Sequence, residues 1–325
     1  MTGSFELVRR LPRGHFTDAL HTDAAKGLTA CPKSLPPKWF YDARGSELFE
    51  EITRLDEYYP TRAEHEILRE HSADVAAASG ARTLVELGSG SSRKTRLLLD
   101  ALSRRGSLRR YVALDVSEDA LRTAGESLRP DYPELDITAV VTDLEADLRL
   151  PPQTPGPRLV AFLGGTLGNF GSGDRPAFYA AVRRELDHGD ALLLGVDLVK
   201  DPAVLVRAYD DAQGVTAEFD KNVLRVLNRE LGAGFDPDLF AHRAVWNAGA
   251  ERIEMRLRSL RAQSVPLPAL GLHADFEEGE ELLTEISVKF RRAPLTAELA
   301  RAGLSLRHWW TDADGRFALL LAVPG

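Results

Sequence analysis

Apolar residues recur at helical spacing through 64–78 and give way to a β-rich run at 83–87, and this exchange of periods repeats along the middle of the chain. The pattern predicts helices at 64–78, 94–103, 119–128 and 175–186, and strands at 83–87, 111–115, 137–141, 159–163 and 191–196. Strands that are apolar on both faces and separated by helical stretches predict a parallel sheet covered on both sides. Near the C-terminus a helix at 296–302 precedes two runs, 304–310 and 317–323, that flank Asp312-Ala313-Asp314-Gly315 and predict a hairpin. The expected fold class is α/β, a Rossmann-like parallel sheet ending in an antiparallel hairpin.

Residues 197–287 are surplus to such a sheet. Helical spacing dominates 201–226, whereas Ile253, Met255 and Leu257 alternate within a strand-like run at 252–263, and 282–290 behaves similarly. Residues 1–61, including the stiff KSLPPKW at 33–39, find no place in the sheet either. The expected organisation is a sheet domain of 62–196 with 288–325, and a second, α+β, substrate-binding domain of 1–61 with 197–287.

Composition narrows the partners. The 325 residues are 44% hydrophobic and 28% charged, ordinary for a globular protein, and the net charge of −8 with no basic stripe argues against a nucleic-acid partner. The N-terminal residues have no signal-peptide core and the apolar runs are too short for a bilayer span, so no membrane partner and a cytoplasmic location are expected. A monomer is expected, because no long apolar surface stripe is visible. Cys31 is the only cysteine, expected as a small buried residue, and the eight histidines form no metal-ligand spacing, so no metal is expected.

The richest motif is VELGSGSSRKT at 85–95, an apolar strand that breaks into a glycine turn and opens a helix, where α/β sheets bind nucleotide-like ligands. Arg93 stands where a dinucleotide fingerprint needs its third glycine, and Glu86 lies in the strand end, so a pyrophosphate fits poorly. Asp115 ends the second strand, positioned to accept from both ribose hydroxyls, and Asp143 ends the third, within reach of an adenine amino group. Lys94 opens the first helix and could meet a ligand carboxylate. The fourth strand runs into FLGGTLGNF, whose glycines permit close backbone approach and whose Asn169 offers both donor and acceptor. An acidic first strand followed by G-x-G, with a terminal hairpin that dinucleotide dehydrogenases usually lack, resembles the class I S-adenosylmethionine-dependent methyltransferases.

Longer motifs sharpen this. KSLPPKWFYDARGSELFEEITRLDEYYPTRAE, VELGSGSSRKTRLLLDAL, FLGGTLGNF, LLLGVDLVKD, RAYDDAQGVTAEFDKNVL, RIEMRL and LLTEISVKF together closely resemble the histidine-specific N-alpha-methyltransferases of ergothioneine biosynthesis, from about Ala24 to Val323. The resemblance implies trimethylation of the α-amine of L-histidine to hercynine with S-adenosylmethionine as methyl donor. It implies cofactor contacts at Gly88, Lys94, Asp115, Asp143 and Leu144. It places substrate contacts at Tyr41, Tyr58, Asn169, Tyr209, Met255, Glu285, Ile286 and Ser287, with Asn169, Tyr58 and Tyr209 at the amino and carboxylate ends and therefore catalytic, and Glu285 at the imidazole. Ser287 assists at the carboxylate or the imidazole, and Tyr41 approaches the ring through water. Gly165 departs from the serine expected there. A relative acting on another amino acid, such as a tryptophan derivative, is the alternative, and Glu285 with Met255 speaks against it.

Overall fold

The computed structural model describes residues 3–12, 14–90, 92, 94–144, 148–151 and 154–325. From the N-terminus, β1 (Phe5–Arg9) precedes α1 (His15–Leu28), the short β2 (Lys33–Ser34) and α2 (Ala43–Ile52). Next, α3 (Tyr59–Ser79) leads into β3 (Thr83–Leu87), α4 (Thr95–Arg104), β4 (Arg110–Asp115), α5 (Glu118–Leu128), β5 (Asp136–Val141), β6 (Arg158–Phe162), α6 (Arg175–Glu185) and β7 (Ala191–Asp197). There follow α7 (Pro202–Tyr209), α8 (Val215–Leu231), β8 (Phe240–Asn247), β9 (Arg252–Ser259), β10 (Gln263–Leu267), β11 (Leu272–Phe276) and β12 (Glu281–Val288). The chain closes with α9 (Arg292–Arg301), β13 (Leu304–Thr311) and β14 (Phe317–Pro324). It divides into two compact units, Met1–Pro12 with Pro60–Val199 and Phe290–Gly325, and Arg13–Tyr59 with Lys200–Lys289.

The first unit is an eight-stranded sheet in the order β1-β5-β4-β3-β6-β7-β14-β13. Neighbours from β1 to β7 pair in parallel, and β14 runs antiparallel to both β7 and β13. This is the sheet of a class I methyltransferase with one further strand at its β5 edge. Strands β3, β6 and β7 are buried at every position, which matches their predominantly apolar sequence, with Glu86, Arg158 and Asp197 as buried exceptions. Leu98, Leu99 and Leu102 give α4 the apolar stripe it turns inward. Ser117 caps α5 by accepting from the Ala120 N–H at 3.2 Å, with Glu118 and Asp119 favourably placed in the first turn. The terminal hairpin closes on Asp312, which accepts from the N–H groups of Arg316 and Phe317 at 2.7 Å each.

Two expectations need correction. Residues 1–61 are not all outside the sheet: Phe5–Arg9 pairs in parallel with β5, from Phe5 opposite Ile137 to Arg9 opposite Val141. A five-residue run with no neighbouring βα pattern carries no local sign of its partner, because the pairing is long-range. The Phe5 ring lies so close to Gly125 on α5 that an alanine Cβ there would overlap it. Cys31 is exposed rather than buried, because it sits in the turn that links α1 to β2.

The second unit is a four-stranded sheet, β2-β12-β9-β8, with β2 parallel to β12 and the rest antiparallel, and a separate β10–β11 hairpin. The expected single strand at 252–263 ends at Ser259, and Gln263 begins the hairpin. The helical stretch at 201–226 breaks after Tyr209 and restarts as α8, where Asp211 accepts from the Val215 and Thr216 N–H groups at 3.1 and 2.7 Å. Buried Asn222 on α8 donates to the Phe40 carbonyl and to Asp42, the N-cap of α2, and so ties the two helices together. The β12–β9 register shifts between Leu283 and Glu285. By alternation Glu285 and Ser287 share one face of β12 and Ile286 and Val288 the other, and Lys289, just past the strand end, continues the face of Glu285. Among the described residues no helix is long and apolar enough to cross a membrane.

Candidate active site

In the sheet unit the polar groups gather at the carboxyl ends of β3, β4 and β5, as the glycine turn predicts. Gly88 and Gly90 adopt φ of 67° and 48°, the left-handed conformations that favour glycine, and nothing lies within 4 Å of where a Cβ at Gly90 would point. Asp115 holds this turn, one oxygen accepting from the Gly90 N–H and the other from the Ser117 N–H, each at 2.9 Å. Burial raises its carboxyl above the ordinary range, opposed by those backbone bonds. Each oxygen keeps a further lone pair, which suits a pair of ribose hydroxyls. Asp143 is buried just past β5, and Leu144 beside it is half-buried. Arg93 lies outside the described residues.

Glu86 takes a structural role. It is buried and accepts from the hydroxyls of Thr95, at 2.6 and 2.7 Å to its two oxygens, and Tyr111 at 2.5 Å. Burial pushes it up to about 7 despite those bonds. Glu86 thus locks β3 to the start of α4 and to β4 around the glycine turn.

Lys94 is not a solvated lysine: it is ion-paired with Glu64 of α3, which is 0% exposed. The other Glu64 oxygen accepts from the Gly164 N–H at 2.7 Å, so one carboxylate joins the start of α4 to the FLGGTLGNF loop. Gly195 on β7 leaves room for it, because an alanine Cβ there would overlap Oε1 of Glu64. Sequence reasoning missed Glu64, which looks like any polar residue of an amphipathic helix. Gly165 adopts φ of 71°, which suits glycine better than the serine expected there. Asn169 ends the short 3-10 turn Thr166–Asn169, half-buried, and its side-chain amide bonds to none of the described residues.

The second unit brings together most of the residues assigned to substrate. Aromatic rings run in contact from Tyr41 through Phe49 and Tyr58 to Tyr209, with centroids 5.7, 6.2 and 6.1 Å apart. The Tyr209 hydroxyl lies 2.8 Å from Ser287 Oγ. Between those hydroxyls sits a residue the sequence reading passed over: Lys289, only 2% exposed, donates to Tyr209 at 3.0 Å and to Ser287 at 2.7 Å, with its ammonium 4.6 Å from the Tyr209 ring centre. Its sequence signal is the i, i+2 continuation of Glu285 and Ser287.

Glu285 lies opposite buried Met255 on β9, and its carboxyl makes no hydrogen bond to the described residues. Burial pushes that carboxyl up to about 8, with Asp220 adding to the rise and Lys289 and His242 opposing it. Asp220 and His242 were also missed. His242 Nδ1 lies 2.6 Å from Asp220 and Nε2 2.8 Å from the Tyr209 carbonyl. A carbonyl only accepts, so Nε2 donates, and with Asp220 accepting at Nδ1 the ring carries both protons. Burial disfavours that charge, but Asp220 outweighs it and holds His242 above the usual histidine range. Ile286 lies opposite Glu254, so its side chain is on the face away from Glu285 and Ser287 and its main chain is the part that can serve the same ligand. Among the described residues no cluster of histidine, cysteine and carboxylate side chains could hold a metal ion.

Residues 20–324 match the family described as histidine-specific methyltransferase, SAM-dependent. The chain is 55% identical to a histidine N-alpha-methyltransferase of Mycolicibacterium smegmatis over 98% of this chain and 99% of that protein. It is 56% identical to one of Mycobacterium tuberculosis over 95% and 96%. Ergothioneine biosynthesis protein 1 of Neurospora crassa is 38% identical over 62% of this chain and 23% of its own length. Matched from end to end, the chain belongs to the family of histidine-specific, S-adenosylmethionine-dependent methyltransferases.

Proposed function

We propose that the protein trimethylates the α-amine of L-histidine to hercynine, the first step of ergothioneine biosynthesis, acting as a cytoplasmic monomer on the free amino acid. The observation that carries this reading is Glu285: a half-buried carboxyl with no hydrogen bond to the described residues, on one strand face with Ser287, in a chain whose full-length relatives are named histidine N-alpha-methyltransferases. An acceptor of this kind favours a side chain that brings an N–H and penalises phenyl.

S-adenosylmethionine supplies an electrophilic methyl group on sulfur. On the protein side, Asp115 fits the ribose, Asp143 and the adjoining Leu144 the adenine, Lys94 the carboxylate, and Gly88 the close passage of backbone. Transfer is an in-line displacement, so the chain's task is to aim an unprotonated amine and exclude water. Asn169, with its unengaged amide, is assigned to the amine and carboxylate of histidine. Tyr58 and Tyr209 are assigned to the same end of histidine, where a ring face stabilises the growing ammonium by about 0.5–2 kcal/mol. Tyr41 and Met255 are assigned to the imidazole surroundings.

The test is mass spectrometry of L-histidine incubated with the purified protein and S-adenosylmethionine, with L-tryptophan and histamine in parallel. Three added methyl groups on histidine alone is the expected result. No gain on histidine with donor binding intact refutes the reading, and a gain on tryptophan instead would favour the indole-type relatives.

A further inference from the structure

Lys289, Tyr209 and Ser287 form a closed triangle of polar groups in the second unit. An ammonium has donors only, so both hydroxyl oxygens accept from it. Only one hydroxyl can then donate to the other. The phenol is the more acidic O–H and the aliphatic oxygen the better acceptor, which sets the direction from Tyr209 to Ser287. Ser287 accepts twice, and its own hydrogen has no acceptor among the described residues. Two positions earlier on the same face stands Glu285, an acceptor with no hydrogen-bond partner. Same-face neighbours on a strand lie about 7 Å apart, a span that a small ring with a hydrogen bond of about 2.8 Å at each end can fill.

We propose that Lys289 is a positioning residue that holds Ser287 as a hydrogen-bond donor, so that Ser287 and Glu285 read the two ring nitrogens of histidine, one as acceptor and the other as N–H. This inference rests on the histidine reading above. A neutral imidazole has one nitrogen of each kind, whereas indole and pyrrole have an N–H and no ring acceptor. Without the ammonium, Ser287 is free to turn its hydrogen toward Tyr209, and the discrimination is lost while the pocket keeps its shape.

The experiment compares kcat/KM for L-histidine with that for the two pyrrolylalanine isomers, which keep one ring N–H and lack the second nitrogen. The wild type prefers histidine by at least about 10-fold. Lys289→Met reduces that preference to within about 3-fold, chiefly by raising KM for histidine, whereas Lys289→Gln, which still offers N–H donors, retains most of it. Ser287→Ala alone removes the preference, and Lys289→Met adds nothing further in that background. Loss of turnover by the same factor on all three substrates would mean a merely structural lysine and overturns the proposal, as does an unchanged preference in Ser287→Ala, which needs no Lys289 variant to fold. A wild type that leaves histidine unmethylated overturns the function itself, a distinguishable result.

Discussion

Glu285→Gln separates what the side chain does for substrate from what it costs the free protein. The carboxyl is half-buried, makes no hydrogen bond to the described residues and is raised from 4.5 to about 8, so the folded state binds its proton more tightly than the unfolded chain does. A raised carboxyl contributes its stability in full below the unfolded value near 4.5 and loses it as pH climbs through about 8. The full shift would correspond to at most about 5 kcal/mol, and solvent reaching a partly buried residue reduces this to on the order of 1–2 kcal/mol. The glutamine variant has no such loss. Thermal unfolding without substrate should therefore give similar midpoints at pH 5 and a variant more stable by a few degrees at pH 9. At pH 9, where the wild-type carboxyl is ionised, kcat/KM of the same variant for histidine should fall about 10- to 100-fold, because a hydrogen bond to a charged acceptor is worth about 1.5–3 kcal/mol, with activity on tryptophan little changed. A variant that is less stable than wild type at pH 9 would show that the carboxylate is already satisfied in the free protein and refute the reasoning.

Three further outcomes are expected. Asn169→Ala should lower methylation at least about 10-fold while calorimetry shows donor affinity nearly unchanged, and equal losses would assign Asn169 to the donor instead. Asp115→Asn should weaken donor binding about 10- to 100-fold, because an amide N–H₂ must face the N–H of Gly90 or Ser117; an unchanged affinity would remove Asp115 from the ribose role. Gly195→Ala should destabilise the fold by about 1–3 kcal/mol in chemical denaturation and lower activity with it, since the new Cβ displaces Glu64 from Gly164 and Lys94, and wild-type stability would mean that Glu64 moves without consequence.

The sheet was legible because its strands carry their own signal: 159–163 and 191–196 are apolar throughout, 83–87 is β-rich and breaks into a glycine turn, and each is followed or preceded by helical spacing. The strand-end residues Gly88, Asp115 and Asp143 were legible for the same reason, since a motif and a strand end fix their place. β1 was not, because its pairing with β5 is long-range, and β8 was not, although it forms a hairpin with β9 in which Asn247 lies opposite Arg252, because its half-buried residues give no clean apolar alternation. Glu64 and Asp220 sit on amphipathic helices, where a buried carboxylate reads like an exposed one until its partners, Lys94 and His242, are in place. Lys289 was hidden differently. An alternating strand announces which residues share a face, but it does not say that a lysine on that face is buried.

Beyond the register shift before Glu285, substrate recognition is a question of parity. Strand β12 carries two sets of side chains, Glu285 and Ser287, continued by Lys289, on one side and Ile286 and Val288 on the other, and the extra residue at Thr284 comes just before Glu285 meets buried Met255. Removing Thr284 would let the ladder run without the shift and keep Glu285 opposite Met255, whereas removing Ile286 would leave Glu285 on that side and turn Ser287 and Lys289 to the other. Past the shift, a change in length by one residue between Glu285 and Lys289 would divide the triad between two faces, which no substitution at a single position does.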